Sequence, residues 1–300
     1  MQQKITPNLW FDGNAKEAAE FYVANFPEST MGNIEYYPNS TEEGLAEFQK
    51  DLAGKELVVE FTVGGLNFAG INAGPEFKFN PSLSFMLNFD PSQDTEAREH
   101  LDDLWEKLSD GGKVLMPLDE YPFSKRYGWV EDKFGLSWQL ILSNPEGDPR
   151  PFIVPNLMFG DGVVNRAEEA ITFYTSLFED SKTGTLARYP EDTGPAKAGS
   201  LMYADFTLHG QWFAAMDSGV EQDFSFNEAI SLSVSCKDQA EIDRLWEQLS
   251  SAPDAEQCGW CRDKYGVSWQ IVPENMGELM QKPGAYAKMM QMKKLVIADF

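Results

Sequence analysis

The sequence is poor in the residues that metal and nucleophile chemistry usually draws on. Its 300 residues include only two histidines and three cysteines. An odd cysteine count gives no disulfide framework. Basic residues are scarce too: 24 Lys and Arg stand against 48 Asp and Glu, for a formal net charge of −24. Such a surface repels polyanions, which excludes nucleic acid and an anionic membrane as partners and leaves solubility as the plain use of the charge. No apolar run approaches the roughly 20 residues of a membrane helix. The opening MQQKITPNLWFDG has no signal-peptide core. A cytoplasmic protein is expected. The chain is not short of core material, with 42% hydrophobic and 13% aromatic residues, which argues against disorder.

Against these absences stands an internal repeat. Residues 127–141 read YGWVEDKFGLSWQLI and residues 258–272 read CGWCRDKYGVSWQIV. Gly128, Trp129, Asp132, Lys133, Gly135, Ser137, Trp138 and Gln139 recur as Gly259, Trp260, Asp263, Lys264, Gly266, Ser268, Trp269 and Gln270. Pro7-Asn8-Leu9 returns as Pro155-Asn156-Leu157, Phe21-Tyr22 as Phe173-Tyr174, Phe61-Thr62 as Phe206-Thr207, and Leu104-Trp105-Glu106 as Leu245-Trp246-Glu247. The order is kept, so the chain is a tandem duplication. The copies are 4–142 and 152–272, joined by the loop-like SNPEGDPRP of 143–151. As folding units this predicts domains at 1–146 and 147–272, followed by a helical tail at 273–300.

Each copy repeats one plan twice. Residues 5–11 alternate as a strand. Asn14, with Glu17 three residues on, forms a capping-box pattern before a helix whose apolar face is Ala15, Ala18, Ala19, Tyr22 and Phe26. Short strands follow, with a hairpin across Gly64-Gly65. The cycle restarts with a strand at 83–89 and a helix carrying Leu101, Leu104 and Leu108. Four β-α-β-β-β modules make an α+β protein. In the tail, Pro283-Gly284 divides two short helices rich in methionine, expected to pack on their own domain.

These modules, the Phe-Tyr helix and the closing D-x-[FY]-G-x-x-W-Q strand resemble the vicinal oxygen chelate (glyoxalase/bleomycin resistance) superfamily. Within it, GW-x-x-DK-[FY]-G-x-SWQ[IL] and the terminal MMQMKK are similar to the PhnB-like group, often labelled 3-demethylubiquinone-9 3-methyltransferase-like. The resemblance spans nearly the whole chain. It implies two modules per curved-sheet cup, one cup per copy, and a small-molecule ligand in the cup. In metal-dependent relatives His and Glu ligands come from four cup strands. The resemblance puts those positions at Pro7, Glu60, Ser84 and Gln139, and at Pro155, Asp205, Ser231 and Gln270. Proline offers no ligand atom, Ser and Gln are weak ligands, and one carboxylate per cup is too few for zinc, nickel or iron. No cofactor is therefore expected; a divalent metal, serving a lyase, isomerase or dioxygenase of the glyoxalase type, is the alternative. The methyltransferase of the label is disfavoured, because no Gly-rich S-adenosylmethionine loop follows a first strand.

Glu60 and Asp205 are the candidate catalytic residues: a lone carboxylate in an apolar cup has a raised pKa and serves as a general base. The competing reading has each carboxylate satisfied by glutamine and backbone groups, with Glu60 meeting Gln139 and Asp205 meeting Gln270. Ser84 and Ser231 lack a histidine partner for nucleophilic catalysis, and join Gln139 and Gln270 as ligand-binding candidates. Strand alternation sends Trp138 and Trp269 to the face opposite Gln, into the core. Trp129 and Trp260 are candidates for the pocket rim, or for hairpin packing. Cys258 is a candidate pocket thiol; Cys258 and Cys261, three apart on a strand, face opposite sides and do not pair readily. The duplication suggests a monomer whose two copies stand in for the halves of a dimer.

Overall fold

The computed structural model describes residues 3–147 and 149–300. In chain order, copy one runs β1 (Ile5–Phe11), α1 (Ala15–Asn25), β2 (Thr30–Tyr36), β3 (Glu56–Val63), β4 (Leu66–Asn72), β5 (Leu83–Phe89), α2 (Ala97–Ser109), β6 (Lys113–Tyr121), β7 (Ser124–Glu131) and β8 (Ser137–Leu142). Copy two runs β9 (Ile153–Phe159), α3 (Ala167–Leu177), β10 (Lys182–Arg188), β11 (Leu201–Leu208), β12 (Gln211–Asp217), β13 (Ile230–Cys236), α4 (Gln239–Leu249), β14 (Trp260–Arg262) and β15 (Ser268–Pro273), and the tail adds α5 (Met276–Met280) and α6 (Ala285–Met289). Among the described residues no helix is long and apolar enough to cross a membrane.

Two curved sheets result, each of two β-α-β-β-β modules, but the modules sort across the repeat. One sheet has the order β14-β15-β13-β1-β4-β3-β2 and the other β10-β11-β12-β9-β5-β8-β7-β6. The first cup therefore joins the opening module of copy one to the closing module of copy two, and the second cup joins the remaining pair. This corrects the expectation that each copy closes its own cup. The seams are antiparallel and apolar on the helix side: Ile5 faces Val234 and Leu9 faces Ile230, while Leu83 faces Leu157 and Leu87 faces Ile153. Reciprocal bonds mark the pseudo-two-fold axis, Asn80 Nδ2 donating to Ser225 O at 3.0 Å and Asn227 Nδ2 to Lys78 O at 2.9 Å. Among the described residues copy two has no strand matching β6; a 3-10 turn at Pro253–Ala255 precedes β14 instead.

The helices cover the convex faces, and alternation decides which side chain goes where. Ala15, Ala18, Ala19 and Tyr22 of α1 pack over Leu9, Val59, Phe61 and Phe68 in one continuous core. The helix start is not capped as the sequence suggests. Asn14 makes no side-chain cap bond; instead Asn72 Oδ1, on β4, accepts from Ala15 N at 2.9 Å, and in copy two Asp217 Oδ1 accepts from Ala167 N at 3.2 Å. A strand-borne cap ties each helix to its own sheet.

The repeated Asp is a core anchor. Asp132 Oδ1 accepts from Phe134 N (2.8 Å) and Leu136 N (3.1 Å), and Oδ2 from Tyr22 OH and Trp138 Nε1 (both 2.8 Å). Asp263 repeats this with Tyr265 N, Val267 N, Tyr174 OH and Trp269 Nε1. The tight turn under each carboxylate needs a left-handed residue, supplied by Gly135 (φ 87°) and Gly266 (φ 94°). Burial pushes both carboxyls above the ordinary aspartate range, against the pull of these four donors. Tyr22 belongs to the first sheet's helix layer and Asp132 to the second sheet, so this bond holds the two modules of one copy together after their strands have parted.

Candidate functional site

The concave faces follow from the core. In β1 the residues Ile5, Leu9 and Phe11 lie in the core, so Pro7 shares the helix side and Asn8 faces the cup. The same alternation turns Pro155 outward and Asn156 inward. The prolines are thus displaced from the cup positions by one residue, and the asparagines take their place; a one-residue register error exchanges the faces of a strand. The assembled rows run Gln270–Ser231–Asn8–Ala69–Glu60 in the first cup and Gln139–Ser84–Asn156–Ala214–Asp205 in the second. Glu60 and Gln139 lie in different sheets, as do Asp205 and Gln270, so neither expected pair meets. Trp138 and Trp269 are fully buried on the helix side, as alternation requires.

The second cup is filled. Tyr127 OH donates to Gln139 Oε1 at 2.7 Å, Gln139 Nε2 to Ser84 Oγ at 2.9 Å, and Asn156 Nδ2 to Ser84 Oγ at 3.3 Å. All four side chains are buried. Above them Met86, Val154 and Ala214 form an apolar cluster with Ile141, Tyr203 and Trp212. Asp205 is buried at the far wall. Its Oδ1 accepts from Thr185 N at 2.7 Å, and its Oδ2 accepts from Arg150 Nη2 at 2.8 Å. Gly184 makes room for this carboxylate, since a Cβ there would collide with Asp205 Oδ1. The Arg150 guanidinium also lies 4.3 Å from the centre of the Trp212 ring. Arg150 is on the connection between the copies, outside the repeat, and the repeat comparison passes over it. The signal that could have found it is an arginine held between Pro149 and Pro151 as the one basic residue of the connection 143–151.

The first cup is more open. Gln270 Nε2 donates to Ser231 Oγ at 2.9 Å, but Cys258, which the sequence aligns with Tyr127, sits in a left-handed turn (φ 53°) before β14 and not on a strand as expected, and among the described residues nothing donates to Gln270 Oε1. Asn8 Nδ2 turns to Thr6 O at 3.0 Å. Glu60 is exposed, not enclosed by apolar groups, and is joined on the same face by Glu35, which pairs in register with Val58. Trp260 meets Trp10 edge-to-face at 6.0 Å, and Trp10 meets Phe77 at 5.0 Å. In the other cup, Trp129 Nε1 donates to Ser137 Oγ at 2.7 Å, which fits hairpin packing. Cys258 Sγ lies 3.7 Å from Met290 Sδ, and burial raises its thiol pKa. Cys261 is buried in the core, and all three cysteines are free.

The tail does more than pack on its own domain. Cys258 N and Gly259 N donate to Met292 O and Lys293 O, while Tyr286 packs against Tyr37 and Leu45, and its hydroxyl donates to Gln49 Oε1 at 3.0 Å. It links the β14 edge to the segment that follows β2, bridging the two walls of the first cup.

The donor sets do not suit a transition metal. Each row offers one carboxylate among neutral amides and a hydroxyl, and in the second cup that carboxylate is held by a guanidinium. Among the described residues no group of three or more His, Cys, Asp and Glu converges on a point. His100 lies on α2 with Nδ1 2.6 Å from Asp94 Oδ2, and His209 is at the β11–β12 turn, both exposed and outside the cups. They line a groove of about 1010 Å³ between α2, the β3–β4 turn and the connection between the copies, which reaches Arg150 and Trp212 at the edge of the second cup.

Two curved sheets of paired β-α-β-β-β modules define a vicinal oxygen chelate fold. Glyoxalase I from Zea mays has the same fold, with 92% of this chain matching 94% of that one at 11% identity and a TM-score of 0.53. A PhnB protein from Bacillus cereus is 36% identical over 47% of this chain and 100% of its own, with a TM-score of 0.39. The family profile described as 3-demethylubiquinone-9 3-methyltransferase matches residues 3–141 and again 151–272. The chain belongs to that family, as a tandem of two members. No curated protein matches it.

Proposed function

We propose that the chain binds a small organic molecule in its first cup, without a transition metal. The observation that carries this reading is a difference in cover: a Gln–Ser–Asn row is kept in both cups, but Gln270 and Asn8 of the first keep 8% and 7% exposure beside an exposed Glu60, while Gln139 and Asn156 of the second keep 1% and 0% beside a buried Asp205. Ligand sites need such a recess with a few placed polar groups. The methyltransferase in the family's description is not adopted, because curved sheets of this kind provide no doubly wound crevice for a nucleotide-like cofactor. The exchange of modules within one chain supports a monomer, to be checked by sedimentation, and the charge of −24 supports a cytoplasmic protein without nucleic-acid partners.

The test is a ligand-observed NMR screen of small organic fragments, with metal analysis of the purified protein. Fragments should lose binding on Gln270→Leu and keep it on Gln139→Leu. Equal loss in both variants, or a stoichiometric transition metal, would overturn the proposal.

A further inference from the structure

We infer that the first cup selects an organic cation carrying N–H donors, an ammonium or amidinium group on an apolar body. This rests on the reading of that cup as the ligand site. The lining presents acceptors. Glu35 and Glu60 face the cup from neighbouring strands, and among the described residues neither has an ion-pair partner. Asn8 and Gln270 are 7% and 8% exposed, and each spends its amide N–H on the protein while its carbonyl oxygen accepts from no protein group. Arg262, a cation on β14 at this wall, is paired with Glu228 and Asp254. The Asn8 and Gln270 oxygens both keep some contact with solvent, since among the described residues the buried side-chain atom without a partner is Asn156 Oδ1 of the second cup, so the first cup's acceptors are available to a ligand rather than stranded.

The second cup shows what such a lining takes. At the position of Glu60 it has Asp205, and the chain supplies a guanidinium to it, 4.3 Å from the centre of the Trp212 ring. The tail, which follows β15 as the connection follows β8, brings no cation to Glu60 among the described residues. Trp10 and Trp260, packed edge-to-face at 6.0 Å on the same wall, add an aromatic surface of the kind that attracts cations. Burial, and then the like charge of Glu60, push the Glu35 carboxyl above its ordinary range, the behaviour of a carboxylate pair without a counterion.

The experiment follows the indole N–H signals of Trp10 and Trp260 in the full chain, assigned with Trp260→Phe. Three probes of one shape are titrated: phenethylammonium, neutral phenethyl alcohol and anionic phenylpropionate. The ammonium should bind at least about tenfold tighter than the other two, and Glu60→Gln and Glu35→Gln should each weaken it by roughly tenfold, the effect of one lost charged contact. Glu60 is exposed and Glu35 half-buried, so both variants are expected to fold. If the neutral probe binds as well as the ammonium, or both glutamine variants leave the ammonium unchanged, the cation preference fails while the cup remains a ligand site. If no probe of any charge shifts either indole, both readings fall.

Discussion

In the second cup Asp205 lies under Arg150 and beside Thr185 N, with Tyr127 closing the opposite wall over Gln139. In the first cup the same two positions hold Glu60, which is exposed, and Cys258, which leaves Gln270 Oε1 without a donor. The scaffold rows are otherwise alike. Two changes therefore separate a filled concavity from an open one: a donor withdrawn from one wall, and an internal cation present on the other. Duplication lets one cup become structural while the other keeps a recess.

This comparison can be broken most forcefully at what the copies share. Asp132→Ala and Asp263→Ala each strand two backbone N–H groups, a tyrosine and a tryptophan in the core, and each should cost roughly 3–4 kcal/mol. Urea unfolding should find the two losses similar; a large inequality would show that the copies are anchored differently. Next in size is Arg150→Met, which leaves Asp205 buried without its guanidinium and should cost about 2–3 kcal/mol. Glu60→Gln at the equivalent site should move stability by less than about 0.5 kcal/mol. Matching effects at the two sites would remove the asymmetry argued above. Tyr127→Phe takes one buried donor from Gln139 and should cost about 1 kcal/mol by thermal unfolding.

The smallest expected effect sharpens the comparison through pH. Glu169, in copy two, is held down to about 2 from 4.5, chiefly by Arg166 and then by the Tyr265 hydroxyl, whereas the copy-one equivalent of Tyr265 is Phe134. A depressed folded pKa gives stability that is present above 4.5 and lost as pH falls toward 2. The side chain is half exposed, so screening keeps the effect small. Glu169→Gln should flatten the urea midpoint over that range. Asp132 and Asp263 act with the opposite sign: their raised folded pKa values mean that they take up protons before the unfolded chain does, and so favour the fold as pH falls. A Glu169→Gln profile indistinguishable from wild type would remove this cluster from the account.

Much of the fold was legible because it rests on periodicity. The repeat, the helices led by Ala15 and Ala167, the turn glycines Gly135 and Gly266, and the inward Gln139 and Gln270 follow from spacing and alternation alone. Three things were not. Asn8 and Asn156 were masked by the neighbouring Pro7 and Pro155, since a single step along a strand exchanges its faces. The partnering of modules was hidden because both copies offer equivalent strands, and nothing in a strand's pattern says which copy completes it. Arg150 lay outside the repeat, where comparing copies has no second member to consult. The anchoring role of Asp132 had a visible signal, an aspartate recurring with Tyr22 and Trp138 as Asp263 recurs with Tyr174 and Trp269.

The seam between β1 and β13 sets the order in which this chain can be completed. Ile5 lies beside Val234 in the finished sheet, so β1 is made well before the strand that becomes its seam neighbour. Until then β1 has one uncovered edge, which exposes it to mispairing. Such distant pairing makes for slow folding. The Tyr22–Asp132 bond, by contrast, joins residues of one copy, so both its partners exist before either seam strand, β1 or β5, has a neighbour from the second copy.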